Sequence, residues 1–424
     1  MENEKIITGI DIGTTKVVAV IAKHFISTST DKKDTIKILG IGEHPSYGLK
    51  RGVVVDIKET INSLENAIRD AEEKASCEIE DVYVGITGDH INCMNYTGKI
   101  PINNSSQVTG IGSEITNKDI ERVLEAAQAI NMSPGRRILH TLSQSFEVDD
   151  RKGIQNPIGL SGNTLSVKVH LVTSLINVEK DIETCFKKMG IRITGFVLEP
   201  LASSYSVLDQ NERNLGVSLI DIGGGTTDIV LYHDGGIQHS SAIASAGQNI
   251  TLDISYRFKT TLEQAEDLKH SYGVSKKELA DQNQAIEIKG IRGRDSNSIS
   301  QVELSEVIEP RITEILQLAF DEIRKSGFEN KLNFGVVITG GGSQLNHLVD
   351  LAQEIFCMPV RIGYPEIIDE NYNDYKDNPR YSTAIGIIQY ASENNDEINS
   401  KSDNGILSQF INSFRMMIKK LVKW

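Results

Sequence analysis

One short pattern occurs twice in this chain, half its length apart, and it restricts the fold more than any other feature. The first copy is Ile6-Ile7-Thr8-Gly9-Ile10-Asp11-Ile12-Gly13-Thr14-Thr15-Lys16-Val17-Val18-Ala19-Val20-Ile21, and the second is Leu219-Ile220-Asp221-Ile222-Gly223-Gly224-Gly225-Thr226-Thr227-Asp228-Ile229-Val230-Leu231. In each copy an apolar run rich in Ile and Val enters a Gly turn and a second apolar run leaves it. That predicts two buried strands joined as a hairpin. The glycines bare successive backbone N–H groups, and such a nest cradles anions such as phosphate. Gly13, Thr14 and Thr15 supply the first nest, with Lys16 as a point positive charge; Gly223, Gly224, Gly225 and Thr226 supply the second. Asp11 and Asp221 stand where the entering strands give out, so each carboxylate faces whatever the glycines hold. An acid beside a phosphate calls for a cation between them, and Mg²⁺, held by few carboxylates, phosphate oxygens and waters, suits. A repeat of this period is a duplicated half-chain, not a short solenoid. Two such hairpins facing each other would clamp one polyphosphate.

A third Gly loop, Val336-Val337-Ile338-Thr339-Gly340-Gly341-Gly342-Ser343, follows another apolar strand but opens a helix. Ser343 is a good N-cap, and Leu345, Leu348, Leu351, Ala352 and Ile355 keep helical spacing behind it. Its bare glycines would let a flat group such as adenosine lie against the backbone. The Walker pattern is absent, and the Rossmann fingerprint needs strand, GxGxxG, then helix, whereas the first two loops here are followed by strands.

Composition narrows the class. A chain of 424 residues, 39% hydrophobic and 24% charged, has room for two or three domains with sizeable cores. The formal charge of −14 argues against general nucleic-acid binding. Cys77, Cys93, Cys185 and Cys357 are scattered without metal or disulfide spacing, which points to a reducing compartment. Met1 to Lys5 lead straight into the first strand without a signal-peptide pattern, and no run reaches the ~20 apolar residues of a spanning helix. A cytoplasmic location is expected.

In chain order, Ile36 to Gly42 predicts a strand and Gly48 to Gly52 a loop. Val53-Val54-Val55 then enters a helix capped by Asp56, with Ile57, Ile61, Leu64, Ile68 and Ala71 on one face. Val82 to Ile86 predicts another strand. From about Gly88 to Ser166 short alternating strands and Gly/Asn turns surround one helix, capped by Thr116 with Asp119 three residues on. This stretch carries no catalytic constellation and reads as an inserted subdomain for protein contacts; His140 and His170 in and beside it read as buried, satisfied histidines. Further helices are expected from Asn177 to Met189, closed by Gly190, and from Pro200 at a first helical position through Tyr205. Glu199 then lies at a helix mouth, either polarising an attacking water or capping the helix. Thr261 caps a helix carrying Glu266 and Lys269, a pair that brackets a ribose or adenine edge or is plain solvated surface. Residues 275–300 read as loop, Pro310 to Lys325 as helix, 334–338 as strand, and Tyr381 to Tyr390 as a last apolar helix whose small residues suit close packing at a hinge.

Ser392 to Asn404 has the composition of a disordered linker. Beyond it, Ile406, Leu407, Phe410, Ile411, Phe414, Met417, Ile418 and Leu421 share one helix face, with Trp424 at the end, while Arg415, Lys419, Lys420 and Lys423 take the other. A basic amphipathic helix with Phe and Trp lies flat in a membrane interface, where anionic lipids add roughly 1 kcal/mol per basic residue. Docking of the same helix on its own core or on a partner is the alternative.

The two Asp-Ile-Gly hairpins and Thr339-Gly340-Gly341-Gly342 resemble the actin, Hsp70 and hexokinase superfamily. Within it Gly48 to Asp56, Val84 to His90, Ile138-Leu139-His140, the Gly159 to Gly162 turn and the amphipathic end resemble the FtsA family of actin-like bacterial cell-division proteins. The resemblance implies an α/β, actin-like, two-domain ribonuclease-H-type fold with an inserted α+β subdomain and a C-terminal amphipathic helix. It implies residues 1–84 with 166–199 as subdomain 1A, 85–165 as the insert 1C, 200–250 with 335–391 as 2A, and 251–334 as 2B. Residues 392–404 would be linker and 405–424 the membrane-targeting helix. It further implies ATP and Mg²⁺ in the cleft, with Asp11 and Asp221 on the metal side. Gly13 to Lys16 and Gly223 to Thr226 would sit on the phosphates, and Gly340 to Ser343 with Glu266 and Lys269 on the adenosine. The partners implied are FtsZ (contacting 2B), further copies in a filament, anionic lipids and other divisome proteins at the septum. Whether Glu199 supports ATP turnover is left open. Two other readings remain within the superfamily: an ATP-dependent sugar kinase, for which no clear extra base appears, and an Hsp70-like chaperone, for which too few residues follow Tyr390.

Overall fold

The computed structural model describes residues 3–26, 35–102, 112–290, 295–367 and 372–394; of the linker expected from Ser392 to Asn404, Ser392 to Asn394 instead extend the last helix, and the rest of it and the amphipathic segment lie outside the described residues. The first hairpin forms from β1 (Asn3–Ile12) and β2 (Lys16–Ile26), with Asp11 opposite Val18. β3 (Thr35–Pro45) pairs antiparallel with β2. The loop that follows contains a minimal ladder, Leu49–Lys50 against Val53–Val54. α1 (Ile57–Ala75) is capped by Asp56, whose carboxylate accepts from the backbone N–H groups of Lys58 and Glu59 at 2.9 and 3.1 Å. Its buried Leu64, Ala67, Ile68 and Ala71 cover the sheet. β4 (Asp81–Ile86) returns parallel to β1.

The insert follows as β5 (Asn92–Pro101), α2 (Asn117–Gln128), β6 (Arg136–Val148), β7 (Arg151–Ile154) and β8 (Thr164–Leu175). Its sheet is antiparallel in the order β7-β6-β8-β5. Ile120, Val123, Leu124 and Ala127 of α2 pack on Phe146, Val167, Val169 and Leu171, so the insert has a core of its own. The Thr116–Asp119 capping box is present. α3 (Ile176–Met189) ends at the left-handed Gly190, and β9 (Arg192–Leu198) joins parallel to β4.

The second half repeats the plan. α4 (Glu199–Val207) leads to β10 (Val217–Ile222), β11 (Thr227–His233) and β12 (Gly236–Ile243), then α5 (Gly247–Phe258) and α6 (Leu262–Tyr272). β13 (Ala285–Ile288), β14 (Asn297–Ser300), α7 (Gln301–Ser326), β15 (Val336–Thr339), α8 (Leu348–Phe356), β16 (Val360–Ile362) and α9 (Ser382–Asn394) complete it. The two large sheets have the orders β9-β4-β1-β2-β3 and β16-β15-β10-β11-β12. In both, the hairpin strands and the strand after them pair antiparallel, and the two later strands add in parallel. The duplication read from the hairpins therefore extends through five strands of each half.

Several local expectations are corrected. Residues 275–300 are not all loop: Ile286 pairs with Ile299 across β13 and β14, and both are buried. α7 begins at Gln301, capped by Ser300 and Glu303, and runs through Pro310. A proline inside a helix costs ~3 kcal/mol. Here Pro310 is exposed, while burial of Leu304, Ile308 and Ile312 holds the turns on either side. α4 starts at Glu199, so Pro200 takes its second position, where its missing N–H is still no loss. Ser343 caps no helix. Gly341–Gln344 form a short 3₁₀ turn, Ser343 Oγ donates back to Gly340 O at 2.7 Å, and α8 begins only after the left-handed His347.

Candidate functional site

The two hairpin turns meet tip to tip. A Cβ added to Gly224 would lie 2.5 Å from Thr15 Cγ2, so the approach of the turns requires glycine there. The N-terminus of α5 pins the second turn: Gly247 N–H donates to Gly223 O at 3.0 Å and Gln248 N–H to Gly224 O at 2.8 Å. Between the turns opens a cavity of about 570 Å³, a size suited to a nucleotide. Its wall brings together Asp11, Gly13, Thr14, Thr15, Lys16, Glu199, Asp221, Gly223, Gly224, Gly225, Thr226, Glu266, Lys269, Gly340, Gly341 and Gly342. These came from five separate stretches of sequence. Ser343 is buried under the loop instead.

Asp221 is held from below by the crossing of α4 and α9. Its Oδ2 accepts from Ser203 Oγ at 2.6 Å and from Thr383 Oγ1 at 3.1 Å. Gly340, at φ +83, sits where any Cβ would overlap Asp221 Oδ1. Directly across the ladder from Asp221 stands Asp228, which accepts from Thr226 Oγ1 at 3.1 Å and from Thr87 Oγ1 at the end of β4. The equivalent place in the first hairpin is Val18. Asp228 and Thr87 line the cavity and were not among the expected residues. The signal was available: with a four-residue turn the register puts two acids face to face, an unfavourable pair that structure alone would not retain.

Four carboxylates thus look into one space. Burial raises Asp11 and Asp228 to about 7, raises Asp221, and raises Glu199 well above the usual range; neighbouring acids add to the rise at Asp11, Asp228 and Glu199, while the bonds from Ser203 and Thr383 and the charge of Lys16 oppose it at Asp221. Among the described residues no three His, Cys, Asp or Glu side chains converge into a cage for an ion. Oxygen donors that face a cavity without closing on it fit a cation such as Mg²⁺, which keeps waters and takes phosphate oxygens as its other partners.

Lys16 is half-buried and already engaged. Its ammonium donates to Arg380 O at 2.8 Å, lies 3.8 Å from Glu43 Oε2 and stands 4.1 Å over the Tyr381 ring. Burial pulls it down to about 8 against the raising pull of Glu43. On the far wall Glu266 accepts from Lys269 Nζ at 2.7 Å and lies 3.0 Å from His270 Nε2. Lys269 also donates to Gly247 O at 3.2 Å, so the pair is a fixed wall element and not solvated surface. His140 and His170 are satisfied: His140 Nε2 accepts from Leu198 N–H at 3.0 Å, and His170 bonds Asn95 and Ser240.

Family comparison adds an independent line. Residues 218–386 match the model of cell division protein FtsA, and residues 88–173 match the SHS2 domain inserted in FtsA. Over 424 residues the chain is 38% identical to the cell division protein FtsA of Pseudomonas aeruginosa, covering all of this chain and 98% of that one. It is 35% identical to the Escherichia coli K12 FtsA over 429 aligned positions, again with full and 98% coverage. Among solved structures, the PilM–PilN type IV pilus biogenesis complex matches with TM-score 0.63 at 15% identity, over 91% of this chain and 98% of that one. MreB5 of Spiroplasma citri bound to ADP matches with TM-score 0.52 at 15% identity, over 90% and 94%. A chain of the MamK double helical filament matches with TM-score 0.50 at 12% identity, over 92% and 99%. The fold is the actin-like α/β fold.

Proposed function

Because the chain belongs to the FtsA family, we propose that it is an ATP-binding division protein that polymerises on the cytoplasmic face of the cell membrane. There it would tether the FtsZ ring and recruit later division proteins to the septum. Membership makes it an actin-like protein of cell division. The observation that carries the nucleotide part is the meeting of two glycine turns and three carboxylates, Asp11, Asp221 and Asp228, around a cavity of about 570 Å³.

In this reading Gly13 to Lys16 and Gly223 to Thr226 hold the phosphates, and Gly340, Gly341, Gly342, Glu266 and Lys269 hold the adenosine. Lys16 turns its ammonium from Arg380 O toward the phosphates. Asp11 and Asp221 would hold Mg²⁺, which supplies positive charge between carboxylates and phosphates. Glu199, at the mouth of α4, would orient a water for slow hydrolysis; burial raises its pKa. Subdomain 2B, residues 251–334, would meet FtsZ. Residues 405–424 would lie in the membrane interface, with Arg415, Lys419, Lys420 and Lys423 toward anionic headgroups. Filament formation would line up many such weak anchors, and their avidity exceeds any single one.

The test is co-sedimentation of the full chain with vesicles containing anionic lipid, with and without residues 405–424 and with ATP varied. Binding is expected to require the segment and to strengthen with Mg·ATP. Binding that ignores the deletion overturns the anchor, and calorimetry showing no Mg·ATP binding overturns the cleft.

A further inference from the structure

The insert leaves the first lobe after β4, yet its sheet lies against the edge strand of the second lobe. Gln144 of β6, buried, donates from Nε2 to Ile237 O at 2.7 Å and to Asn95 Oδ1 at 3.1 Å. Asn95 of β5 donates from Nδ2 to Gln238 O at 2.9 Å. Beyond β7, Gln155 Nε2 donates to Asp234 O at 3.1 Å. The β11–β12 register shifts between Leu231 and Tyr232, a bulge at Gln238 that re-aims the outer strand there. His170 of β8 completes the seam, with Nδ1 2.7 Å from Asn95 Oδ1 and Nε2 2.8 Å from Ser240 Oγ. Ser240 Oγ is in turn 3.0 Å from Cys93 Sγ. Ser240 O–H donates to Cys93 Sγ, and Asn95 Oδ1 accepts from Gln144 Nε2, so side chains of β5, β6 and β8 meet β12 in one connected network. Connected polar networks hold one geometry and resist sliding.

The seam lies close to the cleft. Ser240 pairs with Val230 on β11, and two positions along the same ladder Ala242 pairs with Asp228. Asp228 is also bound by Thr87, the residue that follows β4 and leads into the insert. The insert therefore grips β11 and β12 at two points, one in the cleft and one on the outer edge. The lobes of this chain are joined by the α4–α9 crossing and also through this second bridge.

We propose that the insert is a brace that reads the cleft: its docking on β12 and nucleotide binding between the hairpins favour one another. The inference rests on the nucleotide reading of the cleft given above. Any change in lobe spacing shifts β11 relative to β4, and the seam must follow or break. Coupling between sites is reciprocal, so the brace tightens when nucleotide binds, and loosening the brace weakens nucleotide.

Full-length wild type, Asn95→Ala and Gln144→Ala would be compared, Asn95 being the more exposed and the milder change. Mg·ATP affinity is measured by calorimetry, and amide exchange of residues 236–243 with and without Mg·ATP. The expected result is slower exchange of that strand in wild type on adding ATP, faster exchange in both variants, and affinity lowered about tenfold. Variants with faster exchange at 236–243 but affinity within twofold of a binding wild type would overturn the brace alone. A wild type that binds no ATP overturns the cleft reading and the brace with it.

Discussion

Replacing Gly386 with alanine adds one methyl group where α9 crosses α4. The new Cβ would overlap the carbonyl oxygen of Ala202 and lie 3.2 Å from Ser203 N, both backbone atoms of α4. A helix carbonyl cannot turn aside, so the helices must part by about 1.5 Å to regain an ordinary contact near 3.5 Å. Parting loosens the packing of Ala202 and Val197 on Ile387. It also stretches two buried bonds, Ser206 Oγ to Ser382 O at 2.7 Å and Ser203 Oγ to Thr383 Oγ1 at 2.9 Å. Overpacking costs about 1–3 kcal/mol. The strained hydrogen bonds add about 1 kcal/mol each, and alanine's better helix propensity returns about 1 kcal/mol. The net loss is about 2–4 kcal/mol, which in a unit of 150–250 residues lowers the melting temperature by roughly 5–15 °C. Scanning calorimetry on the full chain measures it. Gly195→Ala is the control, because a Cβ there meets only the Tyr83 ring at an ordinary 3.5 Å and should change stability by no more than about 0.5 kcal/mol. A Gly386→Ala protein melting within about 1 °C of wild type would refute the claim that the crossing is close-packed backbone to backbone.

Asp11→Asn is expected to abolish most of the Mg·ATP affinity in calorimetry while stabilising the nucleotide-free protein at neutral pH; unchanged affinity would sink the assignment of Asp11 to the cation. The sign follows from burial, which lifts Asp11 from 3.8 to about 7, and Asp228 likewise. Folding then favours the protonated acids, so nucleotide-free stability is highest below the unfolded value and declines as pH rises toward 7. Melting curves across that range should slope downward in wild type and less so in Asp11→Asn. His140 acts in the opposite sense: burial lowers it to about 4, so its contribution is present above 6.5 and is lost as pH falls toward 4. His140→Ala leaves the Leu198 N–H buried without its acceptor and should cost about 1–3 kcal/mol in a denaturant titration. A loss under about 0.5 kcal/mol would mean that water replaces the ring.

Much of the cleft was legible because its parts are local. A strand, an acid, a glycine turn and a strand determine each other within sixteen residues, and the same grammar twice implies two lobes. The capping residues Asp56, Thr116 and Thr261 were legible for the same reason, since a cap reads only its own first turn. The misreadings arose where distant packing outweighed a local rule. Pro310 reads as a helix start, yet Ser305 Oγ donating to Val274 O at 2.8 Å and the buried Leu304 and Ile308 carry the helix back to Gln301. Ser343 reads as a cap, yet the Gly340 carbonyl takes its hydroxyl. Asp228 was in plain view but gained meaning only from its register opposite Asp221.

The chain's own order of residues was enough to specify the paired hairpins, their acids and their shared ligand chemistry, because phosphate-cradling turns and buried strands are written in contiguous residues. Only the tertiary structure decided that Thr87 meets Asp228, that Lys16 is held by Arg380 and Tyr381, and that the insert grips β12. Those contacts join residues from 70 to more than 360 positions apart, and no local propensity encodes which distant side chain will fill a given gap.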